Sequence, residues 1–417
     1  MLLQIAWRNL WRNKRRSLIM LSSIAIGVAV MFMTDTLVKG MGKQMIDNQI
    51  KSYISHIKIH KKGFNDNKVI QNVMPQPEII ERALDKSENV THWGRRVAAS
   101  GLISSSMSSA GVQFIGVEQD KEREISDIAD KMTEGEYLTG KPLEIIIGHK
   151  MADKLEVELE ERIVIVSRGL DGSVAQNLYR VSGIFETGSD EFDKMYVFVN
   201  LESAQKMLGL GDKINEIAMV TSDYKQTFEY KDEVVANIKS ELKAVGQRED
   251  AYYGRYEVLT YQEIIPLLVK YVGMFDVSMW LMYSIIIIAI LFGIVNSMIM
   301  AVFERVQEFG VLMSIGMKNG KIVTMVLSEA FMLGALGAVF GVILGYLGYL
   351  PMADGLDLSV FAESLSTFGT GSIIYPIVNF GVISNALLIM PIASVFGAIY
   401  PAWRAIQLQP TDAMRYV

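Results

Sequence analysis

Charge is missing from four stretches of this chain, residues 18–34, 277–303, 330–353 and 364–403. A bilayer core is crossed by about 20 apolar helical residues. A soluble core helix rarely stays uncharged for so long, so the pattern predicts four membrane spans. Between the first and second spans lies a polar block, 39–276, with 30 Lys and Arg against 38 Asp and Glu, a net of −8. The expected architecture is therefore four transmembrane α-helices plus one large domain outside the bilayer. An acidic outer domain argues against nucleic acid as a partner. The absence of cysteine excludes disulfides, thiolate catalysis and cysteine-ligated zinc.

Basic residues mark the cytoplasmic side of a membrane. Residues 1–16 carry Arg8, Arg12, Lys14, Arg15 and Arg16 and no acid. Arg305, Lys318 and Lys321 lie between spans two and three, and Arg404 and Arg415 in the tail. The connection between spans three and four has Asp354, Asp357 and Glu363 and no cation. Both termini and the 304–321 loop are thus expected in the cytoplasm, and the polar block outside. The apolar stretch after the basic start is too long for a signal peptide and lacks a small-residue cleavage site, so an uncleaved span is expected.

The boundaries follow. Residues 1–16 read as an interfacial helix, with Leu3, Trp7, Leu10 and Trp11 on one side and Arg8, Arg12 and Arg15 on another. Spans are expected at 17–38, 272–303, 322–350 and 374–403, with loops at 304–321 and 351–373 and a tail at 404–417. The outer domain takes 39–271. From 260 to 303 little breaks a helix except Pro266, and about 40 residues would make a rod of roughly 60 Å. Leu37, Met41 and Met45 extend span one in the same way, giving two stalks. Within the outer domain the mixture of periods predicts α+β. Strands are expected at 54–60, 113–117, 144–147, 162–167, 179–185 and 195–199, and helices at 77–86, 148–155 and 201–208. Residues 118–213 read as an inserted second subdomain.

The chain offers little catalytic chemistry. His56 and His60 alternate with Ile57 and Ile59, a strand pattern that sets the imidazoles roughly 13 Å apart, so no metal site is expected. His92 and His149 are isolated. Asp190, Glu191 and Asp193 do not fit a calcium loop and read as a solvated hairpin. None of the three Gly-Lys pairs fits a phosphate-binding loop, so any ATP and magnesium would belong to another polypeptide. Gly337, Gly341 and Gly345, flanked by Gly334 and Gly348, form a stripe for close helix packing, with a partner in this chain or in a second copy. Glu329 is either a functional intramembrane carboxylate or the partner of Arg305 or Lys321. Pro391 is expected to kink span four.

Three segments carry a family signal. Ala-Trp-Arg-Asn-Leu-Trp-Arg-Asn fills 6–13, and Glu-Arg-Val-Gln-Glu-Phe-Gly-Val-Leu-Met-Ser-Ile-Gly-Met fills 304–317. Tyr-Pro-Ala-Trp-Arg-Ala at 400–405 and Gln-Pro-Thr-Asp-Ala-Met-Arg-Tyr at 409–416 close the chain. Together they resemble the FtsX-like/MacB permease superfamily of ABC transporters. Val-Ser-Gly-Ile-Phe-Glu-Thr-Gly at 181–188, then Glu191, Phe192, Asp193, Phe198 and Val199 and Leu-Glu-Ser-Ala-Gln at 201–205, resembles the Lol lipoprotein-releasing permeases, LolC/LolE type. One departure is Glu160-Glu161, where the family often has Gly-Asp.

The resemblance implies a permease in the bacterial inner membrane that lacks its own nucleotide site. Its partners would be a LolD-like ATPase, a second permease copy or sister permease, a lipoprotein substrate and a LolA-like periplasmic carrier. The loop after span two would be the ATPase-coupling element, with Glu304, Arg305, Glu308, Phe309, Gly310, Leu312, Ser314 and Gly316. Movement would pass along the stalks to a periplasmic domain of two subdomains. Met31, Met33, Met282 and Phe292 would line lateral substrate access, since flexible methionines suit variable acyl chains. Residues 168–177, with Arg168, Leu170, Asp171 and Gln176, would be the carrier contact. The same superfamily contains MacB-like exporters of drugs or peptides and FtsX-like signal transmitters, which remain alternatives at this point.

Overall fold

The computed structural model describes residues 7–8, 11–361, 364–365 and 369–407. Much of the expected interfacial helix and the 409–416 motif lie outside these residues. The main helices are α1 (Lys14–Gln49), α2 (Pro77–Asp85), α3 (His149–Leu155), α4 (Asp190–Met195), α5 (Leu201–Leu208), α6 (Thr227–Ala244), α7 (Pro266–Glu304), α8 (Val306–Ser314), α9 (Asn319–Tyr349) and α10 (Phe380–Gln407). The chain forms two compact units. One comprises 1–42, 272–356 and 374–417, and the other 43–271 and 357–373.

In the membrane unit, α1, α7, α9 and α10 are each long and apolar enough to cross a bilayer. Pro266 starts α7, where its missing N–H costs nothing. α10 runs unbroken through Pro391 and Pro401. The glycine stripe of α9 meets α1 of the same chain. A Cβ on Gly337 would lie 2.6 Å from Ile24, one on Gly341 2.5 Å from Val28, and one on Gly345 2.9 Å from Phe32. On another side of α9, Gly334 admits Ser394 and Pro391 of α10. Only a helix without side chains at those positions lets the backbones approach so closely.

The outer unit is built on ten strands: β1 (Ile57–Lys61), β2 (Val90–Ser104), β3 (Ser109–Val117), β4 (Met132–Gly135), β5 (Glu144–Gly148), β6 (Arg162–Arg168), β7 (Val174–Phe185), β8 (Tyr196–Asn200), β9 (Glu216–Thr221) and β10 (Tyr256–Thr260). β10, β1, β9 and the first half of β2 form an antiparallel sheet. α6 packs against α2 and β10 beside it. The second half of β2 pairs with β3 on one edge and β6 on the other. β3 then pairs with β8, β8 with β5, β5 with β7, and β7 with β6. The ring closes as a six-stranded barrel filled by Ile103, Phe114, Ile147, Ile163, Ile165, Tyr179, Val181 and Val197. The segment 118–213 is therefore woven into β2 and β3, which supply a third of the barrel.

One sequence expectation is overturned. Asp190, Glu191 and Asp193 begin a short helix, α4, and do not form a solvated hairpin. Asp193 is fully buried. It accepts from Thr187 N and Oγ1, the latter at 2.6 Å, and from His149 Nδ1 at 3.1 Å. These donors replace the water that a carboxylate loses on burial. Burial pushes the Asp193 carboxyl up, against the pull of Thr187 and His149.

Candidate coupling site

α7 ends at Glu304, and the chain turns at once into α8. Phe309 anchors α8 in the core of the membrane unit, Leu312, Met313 and Met317 pack on that core, and Val306 is also buried. The turn out of α8 needs Gly316, whose φ is +90°. Gly316 N donates to Met313 O and Met317 N to Leu312 O, each at 3.0 Å, which satisfies carbonyls at the helix end.

Arg305 is the hub. It is 8% exposed, and its Nη1 donates to Glu329 at 3.1 Å while its Nε donates to Glu308 at 3.1 Å. Its guanidinium carbon lies 5.2 Å from the centre of the Phe309 ring. Glu329 is thus the buried partner of Arg305, one of the two roles its position allows, and joins α9 to the loop. The basic leader closes the network: Arg12 reaches Glu308 at 2.5 Å, and Arg16 and Asn13 reach Glu304 at 2.6 and 3.1 Å. Partial burial works against the charge on Glu308, but Arg12 and Arg305 hold its carboxyl below the usual range.

The eight expected coupling residues divide between two faces. Arg305, Phe309 and Gly310 point into the unit, with Leu312 half-buried. Glu304, Ser314 and Gly316 are exposed and Glu308 is intermediate. Beside them Val311 on α8 and Ile315 just past its end are 48% and 78% exposed, so two apolar side chains stand on the outward side among Gln307 and Ser314. Sequence reading passed over these two because a helical period alone does not tell a buried stripe from a partner-facing one.

The expected access residues do not form one patch. Met31 is buried and shares a cluster with Met282, Phe32 and Tyr283. Met33 lies against Gly348, and Phe292 is 72% exposed on α7. Tyr283 of that cluster bonds a residue that the sequence reading missed. Asp35 is 4% exposed and accepts from Tyr283 OH at 2.5 Å, and its other oxygen has no partner among the described residues. It sits one residue beyond the charge-free window, which hid it.

The 168–177 segment is a tight β6–β7 turn. Leu170 N donates to Leu208 O at 2.9 Å, and Ser173 N and Oγ donate to Asp171, so the tip is tied down. Arg168, Asp171 and Gln176 are exposed and Leu170 is half-buried. The strand register sets Arg162 opposite Arg180, Val164 opposite Leu178, Val166 opposite Gln176 and Arg168 opposite Val174. The outer face of this hairpin is thus an aliphatic strip with arginines at both ends. Glu160, before β6, has φ +67°, the conformation for which glycine is suited, which gives a physical reason for Gly-Asp in the family at this point.

Two family profiles match the chain: the MacB-like periplasmic core domain over residues 17–237 and the FtsX-like permease C-terminal over 280–410. The lipoprotein-releasing system transmembrane protein LolC of Neisseria meningitidis is 22% identical over 96% of this chain and 94% of its own length. The uncharacterized ABC transporter permease YvrN of Bacillus subtilis is 22% identical over 99% of both. The solved periplasmic region of MacB from Actinobacillus actinomycetemcomitans gives a TM-score of 0.36 at 13% identity, covering 54% of this chain and 97% of that one. With a profile spanning half the chain and a second on its last three spans, this protein belongs to the FtsX/MacB family of ABC transporter permeases.

Proposed function

We propose that this permease releases lipoproteins from the inner membrane, driven by ATP hydrolysis on a separate LolD-like subunit. The observation that carries the reading is similarity to LolC along nearly the whole chain, together with the 181–205 segment organised around buried Asp193. In this reading the chain has no catalytic or nucleotide site of its own, and ATP and magnesium bind the partner. The termini and α8 face the cytoplasm, and the outer unit faces the periplasm. Two permeases, identical or sister chains, would pair with two ATPases.

The geometry gives the working parts a physical basis. Val311 and Ile315 offer the ATPase an apolar foothold on α8. The ion network of Arg305 binds α8 to α9 and to the basic leader, so pushing α8 moves α7 and α9 with it. The arginine-bounded strip of β6 and β7 is the carrier contact. The test is ATP turnover by the reconstituted complex with a triacylated lipoprotein, a macrolide and a cell-wall hydrolase as alternative stimulants. Stimulation by the lipoprotein is expected. Stimulation by the macrolide alone would mean MacB-like export, and by the hydrolase alone FtsX-like signalling.

A further inference from the structure

The first stalk does not end as an ordinary helix. After Gln49 the chain makes one π-turn, Ile50–Ile54, and Ser55 caps it with φ 63° and ψ −177°. That backbone conformation is almost confined to glycine, and a residue held there is strained. π-turns and strained residues both concentrate at functional positions. Ser55 is fully buried, so its neighbours impose the strain.

The main neighbour is Arg96 of β2, also fully buried. Its Nε and Nη2 grip Glu122 at 2.9 and 2.6 Å. Its Nη1 donates to Tyr53 O at 2.7 Å and to Glu216 at 3.2 Å, and its Nη2 to Ser55 Oγ at 3.3 Å. Glu216 of β9 in turn takes Lys58 at 2.9 Å, His60 Nε2 at 3.0 Å and the Tyr53 hydroxyl at 3.2 Å. Lys58 Nζ also stands 3.3 Å over the Tyr53 ring. Burial works against the charge on Glu216, yet Lys58, His60 and Arg96 hold its carboxyl well below the usual range.

Arg96 and Lys58 face Glu122 and Glu216, two basic side chains against two carboxylates; burial draws Lys58 down to about 7, and His60 Nδ1 has no hydrogen-bond partner among the described residues. An apolar core of similar volume would stabilise a sheet at least as well. What an ionic cluster adds is direction: planar and bidentate contacts allow one geometry. Here that geometry joins the π-turn to β1, β2, β9 and the Glu122 turn. Two further backbone bonds, Asp127 N to Lys51 O and Tyr261 N to His56 O, fasten the same segment.

We propose that Arg96, Ser55 and Glu216 are positioning residues of the transport cycle, locking the end of the first stalk helix to the outer sheet so that displacement of α1 reaches the sheet as a rigid movement. This rests on the reading that movement enters from the coupling loop. The chain has no native cysteine, so spin labels can be set at Lys43→Cys on α1 and Ser240→Cys on α6, both exposed. Distances are measured on the full chain in nanodiscs with its ATPase, alongside lipoprotein released per ATP hydrolysed.

The wild type should give one narrow distance with or without ATP. Ser55→Gly relaxes the strain, so it should melt no lower than wild type. It should nevertheless broaden the distance and cut release per ATP several-fold. Arg96→Lys, whose single ammonium cannot bridge all its acceptors, should do the same at lower stability. A narrow distance in both variants overturns the proposal, and so does a broadened distance with undiminished release per ATP. Should the wild type release nothing, the lipoprotein reading fails by itself, and the distance width still decides the lock.

Discussion

Gly341→Ala adds one methyl group where α9 meets α1. That carbon would stand 2.5 Å from Val28 Cβ and 2.8 Å from Ala25 O, whereas ordinary contact begins at 3.4 Å. Both obstacles sit on or next to the α1 backbone, so no rotamer change removes them. The helices must part by about 0.9 Å here, and Gly337 and Gly345 lie on the same stripe and lose contact with Ile24 and Phe32. Overpacking of this kind costs about 1–3 kcal/mol. At about 2–4 °C per kcal/mol for a unit of this size, the melting temperature should fall by roughly 2–12 °C. Gly293→Ala on α7 makes the same chemical change where nothing lies within 4 Å. It should be neutral or stabilise by up to about 1 kcal/mol through helix propensity. Thermal unfolding of the purified chain in one detergent, followed by intrinsic fluorescence, compares the two. Equal shifts in both variants would refute the argument that the stripe is a closed contact with α1.

Other perturbations address the remaining parts. Glu308→Lys places a third cation beside Arg12 and Arg305, and Gly316→Pro cannot adopt the φ of +90°. Substrate-stimulated ATP turnover should be lost in both, with stability changed by about 1 kcal/mol for the partly exposed Glu308–Arg12 pair; normal turnover in both would count against α8 as the coupling element. Glu160→Gly removes a left-handed non-glycine residue and should raise the outer unit's stability by about 1 kcal/mol, visible as a higher denaturation midpoint. Glu216 has its folded pKa held below the unfolded value, so its contribution is present above about pH 4.5 and is lost as pH falls further. Glu216→Gln should destabilise by about 3–5 kcal/mol at pH 7 and flatten that acid limb, as followed by melting from pH 7 to 3; an unchanged limb would contradict the assignment.

Local pattern was readable and non-local closure was not. The four spans, the long stalk into the second span (read from 260, where the helix starts at Pro266) and α5 with its bounds came from uninterrupted apolar or periodic runs, where local chemistry decides the structure. β2 escaped because its first half, with Thr91, His92, Gly94, Arg95 and Arg96, is as polar as a loop. Its strand state depends on β9 and β3, far off in sequence, and on the salt bridge that buries Arg96. The barrel was invisible for the same reason, since β2–β6 pairing is what closes it. Asp193 was misread because charge in sequence suggests water, while the donors that replace water sit at Thr187 and His149.

At the candidate site the 304–317 loop was singled out from its motif, and Arg305 with Glu329 was among the pairings allowed by position. The outward face of α8 was not, because Val311 and Ile315 look like core residues until the inward positions are occupied by Val306 and Phe309. The glycine stripe announced a close contact without naming α1, since a stripe specifies only the shape of its partner.

The central claim is tested most directly by reconstituting the permease with its ATPase in liposomes that hold a triacylated lipoprotein, with a soluble LolA-like carrier outside. The account predicts ATP-dependent appearance of lipoprotein on the carrier. ATP hydrolysis that proceeds while all lipoprotein stays in the membrane would contradict it.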